Sequence, residues 1–198
     1  MGWILSPVSK RQIAAANAAS MISTIRKIQP GTKHVAVFAG QSIDSIIADL
    51  QEIESTNSSV DYVQITEDAP YIQALRQKLN ARPNQPQTMR PPVIPVLRPT
   101  SQITDADFLP TSPSDFWILD TFDPVAKGGT GRTINASLFA PVSHRFLVAG
   151  GITPSNAKQI LTASGAFGVD VSSGVESDVG YKNKEKLALL FTALQRQI

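Results

Sequence analysis

The sequence predicts an α/β protein built on a parallel sheet, and three observations predict it. Short apolar runs alternate with longer segments of helical spacing along the chain. The apolar runs are continuous, the pattern of strands buried on both faces. Three runs in the second half lead into glycine-bearing turns. They are Phe116-Trp117-Ile118-Leu119-Asp120 before KGGTGRT, Arg145-Phe146-Leu147-Val148-Ala149 before GGITPSN, and Phe167-Gly168-Val169-Asp170-Val171 before SSGVES. Glycines at strand ends let main-chain N–H groups approach a phosphate, and Asp120 and Asp170 place a carboxylate beside two of these turns.

Taken in order, Gly2–Leu5 is a short apolar run, and the spacing of Ile13, Ala16, Met21, Ile22, Ile25 and Ile28 predicts a helix that stops at Pro30-Gly31. Val35–Ala39 reads as a buried strand. Ser42 and Asp44 suit the start of a helix whose Ile43, Ile46, Ile47, Leu50 and Ile53 make one apolar stripe. Val60–Ile65 is the next strand and Pro70–Leu79 the next helix. Residues 80–92, rich in proline and polar residues, read as an irregular surface insertion. Val93–Leu97 is a strand in spite of Pro95, which lacks a ladder donor. Residues 100–114 read as loop with one helical turn near Asp105–Leu109. A short helix is expected around Ile134–Phe139, a second at Pro154–Ala163 with Thr153 as N-cap and Pro154 at its first position, and a last one at Asn183–Gln195.

Repeated βα units imply right-handed crossovers. A doubly wound sheet would carry G-x-G-x-x-G after its first strand, but the early turns read SPVSKR and AGQS. A (β/α)8 barrel of TIM type places phosphate at the turns after its seventh and eighth strands, where this chain puts its glycines. Seven strands are expected here, so the barrel reads as incomplete, with residues 1–198 forming one domain.

Composition narrows the function. The 198 residues are 42% hydrophobic, enough for one core, with net charge +2 and scattered Lys and Arg that give nucleic-acid binding little support. Without cysteine there is no disulfide, cysteine-based metal site or thiol nucleophile in these residues. His34 and His144 each precede a strand and lack further ligand residues nearby, so no metal site is expected. The sequence suggests neither a membrane span nor a signal peptide, and a cytoplasmic protein is expected.

From Trp117 onward the motifs LDT, GGTGRT, LVAGGITPSNAKQIL and FGVDVSSGVES, followed by the lysine-rich YKNKEK, come in order. They resemble the phosphoribosylanthranilate isomerase family, (β/α)8 barrels of tryptophan biosynthesis. GWILSPVSKRQI, HVAVFAG and VDYVQIT resemble that family's second, third and fourth strands more loosely. The resemblance implies an Amadori rearrangement of N-(5-phosphoribosyl)anthranilate to the carboxyphenylamino-deoxyribulose phosphate, without a cofactor. It implies Asp120 as general acid, and Gly150, Gly151, Ser172 and Ser173 as the phosphate cradle. Gly128, Gly129 and Gly131 would form a loop over the substrate, with Gly129 in contact with it. Asp170 would bind a sugar hydroxyl, Arg11 the anthranilate carboxylate, and Gln64 would line the pocket.

Two departures from the family pattern stand out. The family's first strand, K-x-C-G, carries the general-base cysteine, and neither the strand nor the cysteine occurs here. The fourth strand of the family ends Q-L-H-G, whereas this chain has Gln64-Ile65-Thr66-Glu67. Glu67 and Asp68 follow that strand without an assigned role. The expectation is therefore a chain lacking its first βα unit, with exposed sheet edges that favour self-association, a missing N-terminal segment or a fused enzyme domain. A paralogue that holds a phosphorylated ligand without turnover is the alternative reading, and a related sugar-phosphate isomerase is a weaker one, opposed by Arg11.

Overall fold

The computed structural model describes residues 1–82, 90–108, 116–120, 138–139 and 141–195. They fall into two compact units, Met1–Pro95 and Val96–Ile198.

In the first unit, β1 (Gly2–Ile4), β2 (Val35–Phe38), β3 (Tyr62–Ile65) and the start of β4 (Val93–Leu97) pair in parallel, each with the next in sequence. The helices α1 (Ala15–Ile28), α2 (Ile43–Ser55) and α3 (Ala69–Asn80) form the connections. α2 begins as expected: Ser42 Oγ accepts the Ser45 N–H at 3.2 Å. α3 is capped by Asp68, whose carboxylate accepts the Tyr71 N–H at 3.1 Å, with Pro70 in the first turn. Ile22, Phe38, Ile46, Leu50, Ile53, Ile65, Ile72 and Leu75 are buried, so the stripe of α2 and the β-branched strands supply the core. Pro95 is accommodated, pairing with Ile65 in register. Arg82, just after α3, is buried and forks onto both carboxylate oxygens of Glu54 at the end of α2. Residues 83–89 of the proline-rich insertion lie outside the described residues.

In the second unit, Val96 and Leu97 of β4 pair with β5 (Trp117–Asp120), followed by β6 (Phe146–Ala149) and β7 (Gly168–Val169), again parallel and in sequence order. Among the described residues neither unit shows the order reversal of a doubly wound sheet, and the succession is that of the (β/α) barrel type. The fold class read from the sequence holds. β7 is shorter than its apolar run, although Phe167 N–H bonds the Phe146 carbonyl at 3.1 Å and Asp170 N–H the Val148 carbonyl at 2.8 Å. Trp117, Leu119, Phe146 and Val148 pack with Ala157 and Ile160 of α4 (Ala157–Ser164) and Leu190 of α5 (Lys184–Leu194).

Two local expectations are corrected. α4 starts at Ala157 rather than Pro154, because the Thr153 hydroxyl bonds Ser155 and not a helix N–H, and residues 153–156 form a separate turn. An antiparallel pair, β8 (Glu176–Asp178) and β9 (Tyr181–Lys182), stands where no strand was expected. α5 follows it, with the Asn183 side chain accepting the Lys186 N–H at 2.8 Å. The helical turn near Asp105 is a 3-10 turn, Asp105–Asp107, closed by a Thr104/Asp107 capping box. Of the helix expected at 134–139, only Leu138 and Phe139 are described. Among the described residues no helix is long and apolar enough to cross a membrane.

The two histidines have packing roles. His144 stacks on Phe108 with ring centroids 4.5 Å apart. His34 is fully buried, stacks on Trp3 and accepts the Trp3 indole N–H on Nδ1 at 3.2 Å. Its Nε2 finds no partner among the described residues. Burial lowers the imidazole's affinity for a proton, and the charges of Arg26 and the chain's amino terminus lower it further, while Asp61 opposes them. Burial alone would raise Asp61, but the His34 N–H at 2.9 Å, Lys33 at 3.1 Å and Arg26 at 3.2 Å outweigh it and hold the carboxyl below its usual range. Protonating His34 would also place a hydrogen on Nδ1, against the Trp3 donor.

Both shifts act with the same sign. The unfolded chain binds a proton on this histidine more readily than the folded one, so stability is full above 6.5, the ordinary histidine value, and falls as the pH drops below it. Asp61 adds a second loss below the ordinary carboxylate value of 3.8. Urea denaturation at pH 7 and pH 5 is expected to give lower stability at pH 5. His34→Asn, which retains an acceptor for Trp3 without titrating, is expected to remove most of that difference.

Candidate functional site

The pairing of the second unit sets four residues at one height. Leu97 lies opposite Leu119, Asp120 opposite Ala149, and Val148 opposite Val169. Arg98, Asp120, Ala149 and Asp170 are therefore one tier across β4 to β7. Residues alternate between sheet faces. Trp117, Leu119, Phe146 and Val148 take the helix side, so Asp120 and Asp170 share the opposite side with Ile118, Leu147 and Gly168.

The tier is charged. Arg98 Nε donates to Asp120 Oδ2 at 3.3 Å, with the arginine side chain 61% exposed and the aspartate 20% exposed. Burial pushes the Asp170 carboxyl up from the usual carboxylate range, the neighbouring Asp120 charge pushes it further, and Lys182 opposes both. Lys182 Nζ is itself held by Glu176 Oε1 at 2.7 Å and the Ser172 carbonyl at 2.9 Å. A cavity of about 190 Å3 opens beside Arg98, between Leu97 and Ile103.

Above the tier, the turns after β6 and β7 pack against each other. Gly150 and Gly151 have φ of 98° and 60°, in the left-handed region that suits glycine. Asn156 closes this turn: its Oδ1 accepts the Thr153 N–H at 2.7 Å, and its Nδ2 donates to the Gly151 carbonyl at 3.1 Å. The second turn begins at the exposed Ser172 and Ser173 and continues as a 3-10 turn, Ser173–Val175. Gly174 lies directly on the first turn, where an added Cβ would fall 1.8 Å from the Ile152 carbonyl oxygen.

The remaining candidates lie elsewhere. Arg11 is half-buried in the loop after β1, its N–H bonded to Ser9 Oγ at 3.1 Å. Gln64 sits in β3 between Val37 and Ile94. Thr66 N–H donates to Glu67 Oε2 at 3.1 Å, and Glu67 also accepts the Gly40 N–H, so this carboxylate ties the ends of β2 and β3 together. Gly128, Gly129 and Gly131 lie outside the described residues. The structure thus brings Asp120, Asp170 and the two turns together within the second unit. Sequence reasoning missed Arg98, Asn156 and Gly174. Only the register could have shown Arg98, whereas the asparagine and third glycine were already visible inside GGITPSN and SSGVES.

Residues 1–193 match the model of the family described as N-(5′phosphoribosyl)anthranilate (PRA) isomerase. The N-(5′-phosphoribosyl)anthranilate isomerase of Leptospira interrogans is 33% identical over 189 residues, covering 94% of this chain and 80% of that protein. The tryptophan biosynthesis protein TrpCF of Haemophilus influenzae is 31% identical over 193 residues, covering 96% of this chain but 37% of the longer protein. Among solved structures, the phosphoribosyl anthranilate isomerase of Thermus thermophilus superposes with a TM-score of 0.72 at 25% identity, covering 98% of this chain and 86% of that one.

The geometry of the turns separates two glycine substitutions. At Gly174 the clash is with main chain, which no rotamer change relieves, so Gly174→Ala is expected to cost at least about 2 kcal/mol. At Gly151 an added Cβ meets open space, and Gly151→Ala is expected to cost only about 1 kcal/mol for the left-handed backbone. Thermal melts of the two variants should rank them in that order.

Proposed function

We propose, for a chain that belongs to the N-(5′-phosphoribosyl)anthranilate isomerase family, that the charged tier and the two turns of its second unit form the acid side and phosphate grip of that family's reaction. One observation carries the reading: Asp120 and Asp170 stand on one face at one height, directly below two interlocked glycine turns.

The reaction opens a ribosylamine and moves a double bond. Asp120 delivers a proton to the ring oxygen as the C1′–O bond breaks, and the anthranilate nitrogen takes up the developing imine. Loss of the C2′ proton then gives an enol, which becomes the ketone. The substrate's own nitrogen serves as electron sink. The main chain of Gly150 and Gly151, with Ser172 and Ser173, receives the phosphate dianion, for which compact turns rich in N–H donors are suited. Asp170 takes a sugar hydroxyl. Arg11 holds the anthranilate carboxylate, a planar group that a guanidinium can grip with two donors. Gln64 lines the pocket.

The general base of the family pattern is a thiolate, and the 198 residues contain no cysteine. In this reading another residue of these 198, a K-x-C-G strand of the same polypeptide, or one of another chain supplies the base. The sheet offers places for such a strand: among the described residues β1 pairs only with β2, and β7 only with β6. Unpaired edges of this kind also invite pairing between copies. In sedimentation velocity the 198 residues are expected to self-associate as concentration rises, and a single monomeric boundary at all concentrations would count against this.

A coupled isomerase assay on the 198 residues completed by a K-x-C-G βα segment tests the chemistry. Asp120→Asn is expected to lower kcat by about 10²- to 10⁴-fold, the usual worth of a positioned acid. Isothermal titration with inorganic phosphate should give the same affinity for this variant as for the native chain. Phosphate binding without turnover above the Asp120→Asn background would replace the isomerase reading by one of ligand binding alone.

A further inference from the structure

We infer that Lys182 is a positioning residue for the phosphate grip: its ammonium group, brought back by the β8–β9 ribbon, holds the Ser172 carbonyl and so turns the Ser173 N–H away from the ribbon, to the side that receives the anion. The inference rests on the proposed phosphate role of the second turn and adds what holds that turn in shape.

The ribbon places the lysine. β8 leaves the second turn at Glu176 and β9 returns after Gly180, whose φ of 85° suits glycine, so Lys182 stands opposite Glu176. From there Lys182 Nζ donates to the Ser172 carbonyl, ten residues back, at 2.9 Å, and to Glu176 Oε1 at 2.7 Å. The next residue ties the other end of the same turn, the Asn183 N–H donating to the Val175 carbonyl at 2.8 Å. Lys186 Nζ, one helical turn further on, donates to the Glu176 carbonyl at 2.7 Å. Carbonyls 172, 175 and 176 are thus all drawn toward the segment 182–186.

In a trans peptide the carbonyl and the following N–H point in opposite directions. The Ser172–Ser173 peptide is trans, so a carbonyl turned to Lys182 sends the Ser173 N–H the other way. The far flank of the turn is fixed by Gly174, which lies against the Ile152 carbonyl. The second turn is therefore gripped between the first turn and the ribbon.

Charge and geometry are separable roles for this lysine, and geometry is the larger one. The Glu176 side chain is 5% exposed, and a carboxylate so buried is costly without a counter-charge, which Lys182 supplies. A lysine already paired in this way adds little net field for an incoming anion. Removing it alone leaves the Glu176 charge buried without this partner and endangers the fold, so the test removes both charges together.

The comparison is between the native 198-residue chain, Glu176→Gln, and the double variant Lys182→Met/Glu176→Gln, which keeps the native net charge. Each is measured well below its melting temperature. In 15N relaxation without ligand, the Ser173 amide is expected to be rigid in the native chain and in Glu176→Gln, with an order parameter of about 0.85, and to fall below about 0.6 in the double variant. Isothermal titration with inorganic phosphate should give the native and Glu176→Gln chains the same affinity. The double variant should bind about tenfold more weakly, the cost of ordering one main-chain residue on binding. In the chain completed by a K-x-C-G βα segment, the double variant should raise KM and leave kcat unchanged, as loss of binding shared by ground and transition states does. A double variant as rigid at Ser173 as the native chain, or one that binds phosphate equally well, would overturn the inference. So would an equal loss in Glu176→Gln alone, which would assign the effect to the ion pair instead of the carbonyl bond. A native chain that takes up no phosphate would sink the phosphate reading, while the relaxation comparison still decides whether Lys182 holds the turn.

Discussion

Parallel pairing of each strand with its successor governs the second unit. Because every ladder runs in the same direction, residues that end neighbouring strands come to one level, and side chains in register turn to the same face. A carboxylate at the end of β5 and another at the end of β7 thus share an environment without any contact between their own segments. A shift of one residue in either ladder would turn one of them toward the helices, among Leu119, Val148 and Ile160, where a charge has no partner. The apolar residues on the helix side therefore fix which side chains stand on the other side. Trp117, Leu119, Phe146 and Val148 pin the register that presents Asp120 and Asp170.

The turns above the tier obey a different constraint, set by main chain. Gly174 lies so close to the Ile152 carbonyl that only a residue without Cβ fits. Asn156 joins the Thr153 amide to the Gly151 carbonyl and so defines the first turn before α4 begins. This also explains why α4 starts late. An asparagine engaged with the preceding turn leaves the helix without a side-chain cap, an arrangement that sacrifices some helix stability for turn geometry.

Much of this was legible in the sequence. Continuous apolar runs located the strands, and the stripe of α2 with its Ser42 cap gave that helix almost to the residue. Pro95 did not prevent β4, because the neighbouring residues carry the ladders. Asp120 and Asp170 stood out because acidic residues ending buried strands are costly without a purpose. Features that depend on pairs of distant residues were not legible. Arg98 sits in an unremarkable loop sequence, and its partner lies 22 positions away. The Trp3–His34 contact joins β1 to the residue before β2, a pairing that neither residue announces alone. The β8–β9 ribbon escaped notice because two- and three-residue strands are too short to show a period.

The Asn156 clasp has a thermodynamic meaning for whatever occupies the grip. Its two hydrogen bonds, and the contact made by Gly174, are formed by the protein with itself and do not require an anion. The entropy of ordering the first loop is accordingly lost during folding rather than during association. A phosphate taken up there, as proposed, would meet a turn already shaped, so its affinity would not be taxed by loop closure and its arrival would be governed by diffusion and the local field.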